Sequence, residues 1–414
     1  MYDIIHPKEP YLDPRNVRLV PYHDRLVAQG GYFLPSAGWE MAQWYESNFN
    51  LLEKYKDRVP FRKEGSWEAK FWSPIQGAEH LAARDGTCLF NIANFTKIEV
   101  SGAGALPFLE RMCANRLDVP VNKVVYTALC DSGGGIRADL TITRRSDDTF
   151  WVLTGAGTGP SDLFWLQQHA PDDGSVVITD ISSTYSGVAL WGQQARDVLG
   201  KLVEEDISNG AFPYFRAREI VVDTIPCYAL RVSYIGELGW EIYCPADQAI
   251  RLWDLLWEAG QDVDIFALGS GAFNSLRIEK GYRAWGSDIH TDYNPFEAGL
   301  GFAVRMKKKS DFMGRDVLVD AKKNVTRQLC CMTLDERDAV ALGKEPIMDG
   351  DTAIGYVTSA DYGYSVGKFL LYGYLPVEYA EEGKQVQIRY FDRVFRATVA
   401  ADPIFDPEMT RLKS

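Results

Sequence analysis

Histidine and paired cysteine are what this sequence has least of: 414 residues contain five histidines and seven cysteines, with no C-x-x-C spacing among the latter. His6, His23, His80, His169 and His290 share no metal-ligand spacing with one another or with a cysteine, so no zinc or iron site is indicated and each reads as structural or surface. The odd set Cys88, Cys113, Cys130, Cys227, Cys244, Cys330 and Cys331 argues against a complete set of internal disulfides and for buried thiols in a reducing compartment. Long apolar runs are missing too. Nothing approaches the roughly twenty apolar residues of a membrane-crossing helix, and the opening MYDIIHPKEPYLDPRN is polar and proline-rich where a secretory signal has an apolar core. The expected address is therefore cytoplasmic, or an organelle matrix if a presequence has been lost, with no membrane partner. Positive charge is also scarce: 44 Lys and Arg against 57 Asp and Glu leave a net charge of −13. The acids are dispersed, which argues against nucleic-acid binding. The single basic cluster, Lys307-Lys308-Lys309, reads as a solvated loop.

What is present is a chain that is 46% hydrophobic, long enough for two or three domains with cores of their own. Residues 1–60 read as an irregular arm whose aromatics (GYFLPSAGWEMAQWYE) must pack onto a body. From 61 to 325, strands such as KIEVSG and TFWVLTG alternate with amphipathic helices such as ALPFLERMCANR and AIRLWDLLWEAG, an α+β or α/β pattern. From 326 to 414, short alternating runs (QLCCMTLD, TAIGYVTSA, KFLLYGYL, KQVQIRYFD, RVFRATVAA) read as an all-β barrel or roll.

Two glycine-rich stretches invite a phosphate-binding reading. TFWVLTG runs into Gly155-Ala156-Gly157-Thr158-Gly159, a helix, and a strand ending at Asp180. A dinucleotide fingerprint needs its third glycine one place later and its acid nearer, and Pro160 intervenes. Ser132-Gly133-Gly134-Gly135-Ile136 lacks the GK[ST] ending of a P-loop and reads as a hairpin turn. It delivers IRADLTITR as a strand with Ile136, Ala138, Leu140 and Ile142 on one face and Arg137, Asp139, Thr141 and Thr143 on the other.

The segment Arg231–Tyr243, RVSYIGELGWEIY, reads as two β-runs around a Gly236–Gly239 turn, so that a phenol, Tyr234, and a carboxylate, Glu241, flank one bend. Together with YTALCDSGGGIRADLTITR (126–144) and LRIEKGYRAWGSD (276–288), this segment resembles the glycine-cleavage T-protein family of tetrahydrofolate-dependent one-carbon transferases. Within it the chain is most similar to the folate-binding half of dimethylglycine and sarcosine dehydrogenases, without their flavin half. The resemblance implies an α+β, three-lobed fold around a central folate cavity with an all-β C-terminal barrel. It implies Asp139 as the carboxylate that stabilises positive charge at folate N5 and receives its proton. Glu241 would grip the pterin's adjacent N–H and amino donors, and Tyr234 would donate to the leaving group or hold the pterin. Phe95, Tyr126, Thr141 and Gly155 are expected to line the same cavity. Arg277 and Glu279 read as scaffold ion pairs, and Ser365 and Tyr362 as part of a family-typical turn. Phe273 stands where the T-protein proper carries a folate-binding arginine. The implied activity moves a methyl or methylene-level carbon from a small N-, O- or S-methylated donor to tetrahydrofolate, with a separate flavoprotein as a candidate partner. The alternative is a folate-binding regulatory or accessory subunit of an amine dehydrogenase.

Overall fold

The computed structural model describes residues 6–63, 65–336 and 339–414. The arm is more regular than its composition suggests. Strands β1 (Gly31–Ser36) and β2 (Trp39–Tyr45) pair as an antiparallel hairpin, and both loop residues, Ala37 and Gly38, take positive φ (51° and 81°), the combination that matches hairpin twist. Val20, Tyr22, Leu26, Ala42 and Tyr45 sink into the core of the following region. The Tyr22 hydroxyl lies 2.8 Å from Asn91 Oδ1 and 2.7 Å from the Gly187 carbonyl oxygen. Glu79, on the helix Ile75–Asp85, fixes the arm from the other side: its carboxylate accepts from the Tyr45 N–H (2.8 Å), Asn48 Nδ2 (2.8 Å) and the Gly269 N–H (2.9 Å).

The body is built on β3 (Thr87–Asn91), β4 (Thr96–Ser101), β5 (Val124–Cys130), β6 (Ile136–Arg144), β7 (Thr149–Thr154), β8 (Val177–Asp180), β9 (Tyr185–Gly192), β10 (Ala217–Val222), β11 (Ile225–Leu230), β12 (Gly239–Pro245) and β13 (Phe266–Ala267). These form a six-stranded sheet, β10-β11-β12-β9-β3-β13, and a five-stranded sheet, β5-β6-β7-β4-β8. The period-2 alternation read from IRADLTITR holds: Ala138, Leu140 and Ile142 join Phe150 and Val152 of β7 in one apolar cluster, leaving Asp139 and Thr141 on the opposite face with Trp151 and Leu153. On β12, Trp240, Ile242 and Cys244 pack under the helix Ala249–Ala259, while Tyr243 faces the other way. A second cluster containing Phe90, Ile92, Trp151, Leu153, Trp191, Tyr228, Leu230 and Tyr243 therefore draws side chains from both sheets and forms the seam between them. Each such side chain, fully buried, contributes about 1.5–3 kcal/mol.

One expected strand is not one. The chain leaves regular structure at Leu230, and Arg231–Ile235 is irregular. Its backbone groups bond elsewhere: the Arg231 N–H to Arg216, the Arg231 carbonyl to the Phe215 N–H, and the Val232 carbonyl to Trp191 Nε1. The basic cluster is also revised. Lys308 is buried and its ammonium donates to the carbonyls of Glu110, Cys113 (2.6 Å) and Asn115 (3.1 Å), with Glu110 Oε2 at 3.2 Å.

Residues 327–400 close a six-stranded barrel of β14 (Arg327–Leu334), β15 (Pro346–Asp349), β16 (Thr352–Gly363), β17 (Lys368–Pro376), β18 (Gln385–Tyr390) and β19 (Arg393–Ala400), ordered β14-β17-β16-β15-β18-β19. The sequence runs predicted five of these strands; four-residue β15, opened by a proline, is too short to show alternation. All seven cysteines are buried and unpaired. Among the described residues no helix is long and apolar enough to cross a membrane.

Candidate functional site

Asp139 projects from the polar face of β6, half-buried, and its Oδ2 accepts from the Tyr126 hydroxyl at 3.0 Å. Tyr126 sits on β5 opposite Thr141, so the ladder sets phenol and carboxylate on one face. Burial pushes the Asp139 carboxyl up to about 6, against the partial counterweight of the Tyr126 hydrogen bond. No hydrogen bond reaches its Oδ1 from another described residue. The β6–β7 ladder ends at Thr141 opposite Leu153, and Gly155 follows directly on the end of β7.

Glu241 repeats this pattern on the other sheet. It is buried on β12, and its Oε2 accepts from the Tyr243 hydroxyl at 2.7 Å, two residues along the same strand face. Burial raises its carboxyl to about 7, with the Tyr243 hydrogen bond acting the other way. Its Oε1 likewise has no hydrogen-bond partner among the described residues. Gly239 opens β12 at φ 150°, with a would-be Cβ only 2.0 Å from the Leu190 carbonyl oxygen, so only glycine lets the chain enter this strand.

Tyr234 lies within electrostatic reach of both Tyr126 and Asp139, which brings three of the sequence-expected residues together. Its hydroxyl donates to the Arg283 carbonyl, and its ring stacks on Phe273 at 5.3 Å, itself stacked on Phe90 at 4.5 Å. Phe95 packs against the inter-sheet seam on the turn after β3. That turn is pinned by Lys97, whose buried ammonium donates to the carbonyls of Ala93 (3.0 Å) and Phe95 (2.6 Å) and is lowered to about 8 by burial. Neither Lys97 nor Tyr243 was singled out from the sequence; Tyr243 was visible as the i+2 neighbour of Glu241, whereas Lys97 looks like any surface lysine of a half-exposed strand.

The remaining motif residues are scaffold. Arg277 pairs with Asp288 at 2.6 Å, and Glu279 lies 3.0 Å from Arg84 and 3.2 Å from His80. The Ser365 N–H donates to Glu279 at 2.8 Å. The glycine run before the helix Gly159–His169 is not a nucleotide cradle. β7 and β8 point the same way, but β4 lies between them and runs antiparallel to both, so the strands flanking the helix are not the adjacent parallel pair of a dinucleotide-binding βαβ unit. A Cβ on Gly159 would sit 1.8 Å from Thr96 Oγ1, so this glycine serves helix-to-strand packing. Two surface clefts, of about 570 Å³ beside Arg111, Ser132 and Phe312 and of about 490 Å³ beside Trp67, Arg389 and Phe391, include none of the site residues above.

Residues 22–308 match the GCVT N-terminal domain and residues 327–406 the glycine cleavage T-protein C-terminal barrel domain. Among curated proteins, an aminomethyltransferase of Bacillus mycoides is 33% identical over 360 residues, covering 86% of this chain and 96% of that protein. Human mitochondrial dimethylglycine dehydrogenase is 33% identical over 380 residues, 91% of this chain but 42% of the relative. A 4-methylaminobutanoate oxidase (formaldehyde-forming) of Paenarthrobacter nicotinovorans is 32% identical over 400 residues, 96% of this chain and 47% of the relative. The chain thus spans less than half the length of these two oxidising relatives. The crystal structure of the glycine cleavage system aminomethyltransferase T from Bartonella henselae superposes with a TM-score of 0.80 at 25% identity, over 95% of this chain and 99% of that one.

Proposed function

The chain belongs to the glycine cleavage T-protein family, and from that premise we propose that it is a tetrahydrofolate-dependent one-carbon transferase acting on a small methylated donor. The observation that carries this reading is a pair of carboxylates, one half-buried and one buried, on the two sheets of the body, each accepting from one tyrosine and each keeping an oxygen without a hydrogen-bond partner among the described residues. A carboxylate oxygen that no protein donor occupies can accept from a ligand, so the two fit a ligand that brings donors to both. Tetrahydrofolate does: its pterin presents adjacent N–H and amino groups, and its N5 is the nucleophile that takes the one-carbon unit. Glu241 accepts the paired pterin donors. Asp139, raised toward neutrality, takes up the proton at its free Oδ1 and can release it again near pH 6. Tyr234 has its one proton engaged by the Arg283 carbonyl, so it offers a ligand an acceptor lone pair and a ring face. Phe95, Tyr126, Thr141 and Gly155 complete the walls.

Where a separate flavoprotein oxidises an N-methyl amine, the captured carbon arrives at the methylene level; where the chain acts alone, a methyl group moves without redox change. The first test is calorimetric titration with tetrahydrofolate, wild type against Glu241→Ala. Binding that the variant loses supports the assignment, and no binding by the wild type overturns it.

A further inference from the structure

Arg277 and Arg283 act electrostatically on Tyr234, Arg283 also on Tyr126, and a third arginine, Arg137, stands two residues before Asp139 on β6; the three are committed very unequally. Arg277 donates to Asp288 Oδ2 (2.6 Å), Asn274 Oδ1 (3.0 and 3.1 Å), Ser359 Oγ (2.9 Å) and the Tyr282 carbonyl (3.1 Å). Arg283 donates to both oxygens of Asp402 and to the carbonyls of Ala298 and Gly281. Arg137 differs. Only its Nη2 makes hydrogen bonds, to the carbonyl (3.3 Å) and hydroxyl of Ser161, while Nε and Nη1 have no hydrogen-bond partner among the described residues. Its nearest anion, Asp162, stays 3.7 Å away, beyond hydrogen-bond range. Asp162 is fully buried, receives Thr154 Oγ1 on Oδ2 at 2.6 Å, and leaves Oδ1 without a hydrogen-bond partner among the described residues.

Position adds to this. Arg137 lies two residues before Asp139 on β6, where the β5–β6 ladder pairs Leu129 with Ala138 and then Cys130 with Ile136, so Arg137 is the residue the bulge leaves unpaired. Bulges re-aim side chains beside sites. Its guanidinium rests 5.4 Å from the centre of the Trp165 ring with the side chain 18% exposed. Asp162 in turn acts electrostatically on Asp139, so the arginine, its loose counter-ion and the site carboxylate form one neighbourhood. A cation with spare donors and an anion with a spare oxygen, two residues apart on one strand, are complementary to a small ligand carrying both charges.

We propose that Arg137 anchors the carboxylate of a zwitterionic methyl donor, an N-methylated amino acid whose nitrogen then lies against Asp139. The assignment rests on the one-carbon transfer reading and deepens it. It makes Arg137 a specificity residue: a planar, permanently charged donor set suits a carboxylate, and a methylamine without one gains nothing from it.

The test uses full-length protein loaded with tetrahydrofolate and two probes, N-methylglycine and N-methylethanolamine, which share the methylamine and differ in the carboxylate. Wild type, Arg137→Gln and Arg137→Lys are compared by calorimetry, first with tetrahydrofolate and then with each probe. The expected result is selective binding of N-methylglycine by the wild type, weakened on the order of tenfold or more in Arg137→Gln and partly kept in Arg137→Lys. Tetrahydrofolate affinity should stay the same in all three, which also shows that the variants are folded. Equal binding of the two probes, no binding of N-methylglycine, or indifference to Arg137→Gln overturns the anchor. Failure of the wild type to bind tetrahydrofolate overturns instead the transferase reading on which it rests.

Discussion

Two groups of buried charge in this molecule are treated in opposite ways. In the first, Arg84 engages all three guanidinium nitrogens, with Glu237 (2.7 Å), Glu279 (3.0 Å), Ser365 Oγ (3.2 Å) and the Ile235 and Leu276 carbonyls. Glu237 receives Gln193 and Arg411 as well, and His80 is held between Ser275, Ser365 and Glu279. Burial alone would raise the Glu279 carboxyl, but His80 and Arg84 outweigh it and hold it down at about 2. In the second group, Asp139 and Glu241 each have one phenol and no paired cation among the described residues, and burial wins, lifting them to about 6 and 7. A saturated charge is fixed and serves as mortar between helix Ile75–Asp85, helix Ser270–Glu279 and the barrel. A carboxylate kept short of partners is poised to change its protonation when a ligand arrives.

Four measurements would break or sharpen this contrast. Arg84→Met leaves Glu237 and Glu279 with too few donors in the core, so urea unfolding should report a loss of about 3–5 kcal/mol, while the protein that remains folded keeps its tetrahydrofolate affinity. Asp139→Asn should do the reverse, lowering single-turnover transfer about 10²–10⁴-fold with stability and folate binding little changed. Glu241→Gln should weaken tetrahydrofolate binding by about 1.5–3 kcal/mol and yet stabilise the ligand-free protein at pH 8. The sign follows from linkage: with a folded-state value near 7 against an ordinary 4.5, the native state binds the extra proton. Wild-type stability from this group is therefore full below about pH 4.5 and lost as pH rises through 7, a loss on the order of 1–3 kcal/mol that glutamine does not suffer. Melting curves between pH 4.5 and 8 would show it. Smallest of all, Tyr243→Phe removes the one hydrogen bond to Glu241, costing about 1 kcal/mol of folate affinity and moving the pH at which binding fades upward.

The poised group was far more legible in the sequence than the saturated one. Asp139 and Glu241 were reached through the resemblance of short local motifs to the family; alternation added which face of β6 carries Asp139, and it misread Arg231–Ile235. The guanidinium of Arg84 finds its partners at residues 235, 237, 276, 279 and 365, and Glu237 adds donors from 193 and 411, separations that no periodicity encodes. Lys308 failed for the same reason: a lysine in a basic run looks solvated until the carbonyls at the end of a distant helix converge on it. The β1–β2 hairpin went unread because its turn places an alanine, not the usual asparagine or aspartate, at positive φ.

The contacts that cross from the segment after β19 back into the body have a consequence for synthesis. Asp402 braces Arg283, Asp406 takes the Lys280 ammonium, and Arg411 completes Glu237. On a ribosome these residues emerge more than a hundred positions after the loop they secure, so through most of translation the strand-to-helix region around Tyr234 waits unbraced. Completion of that region is thus vectorial: a nascent chain stalled within the barrel has Arg84 and Gln193 at Glu237 but still lacks Arg411 there and Asp406 at Lys280.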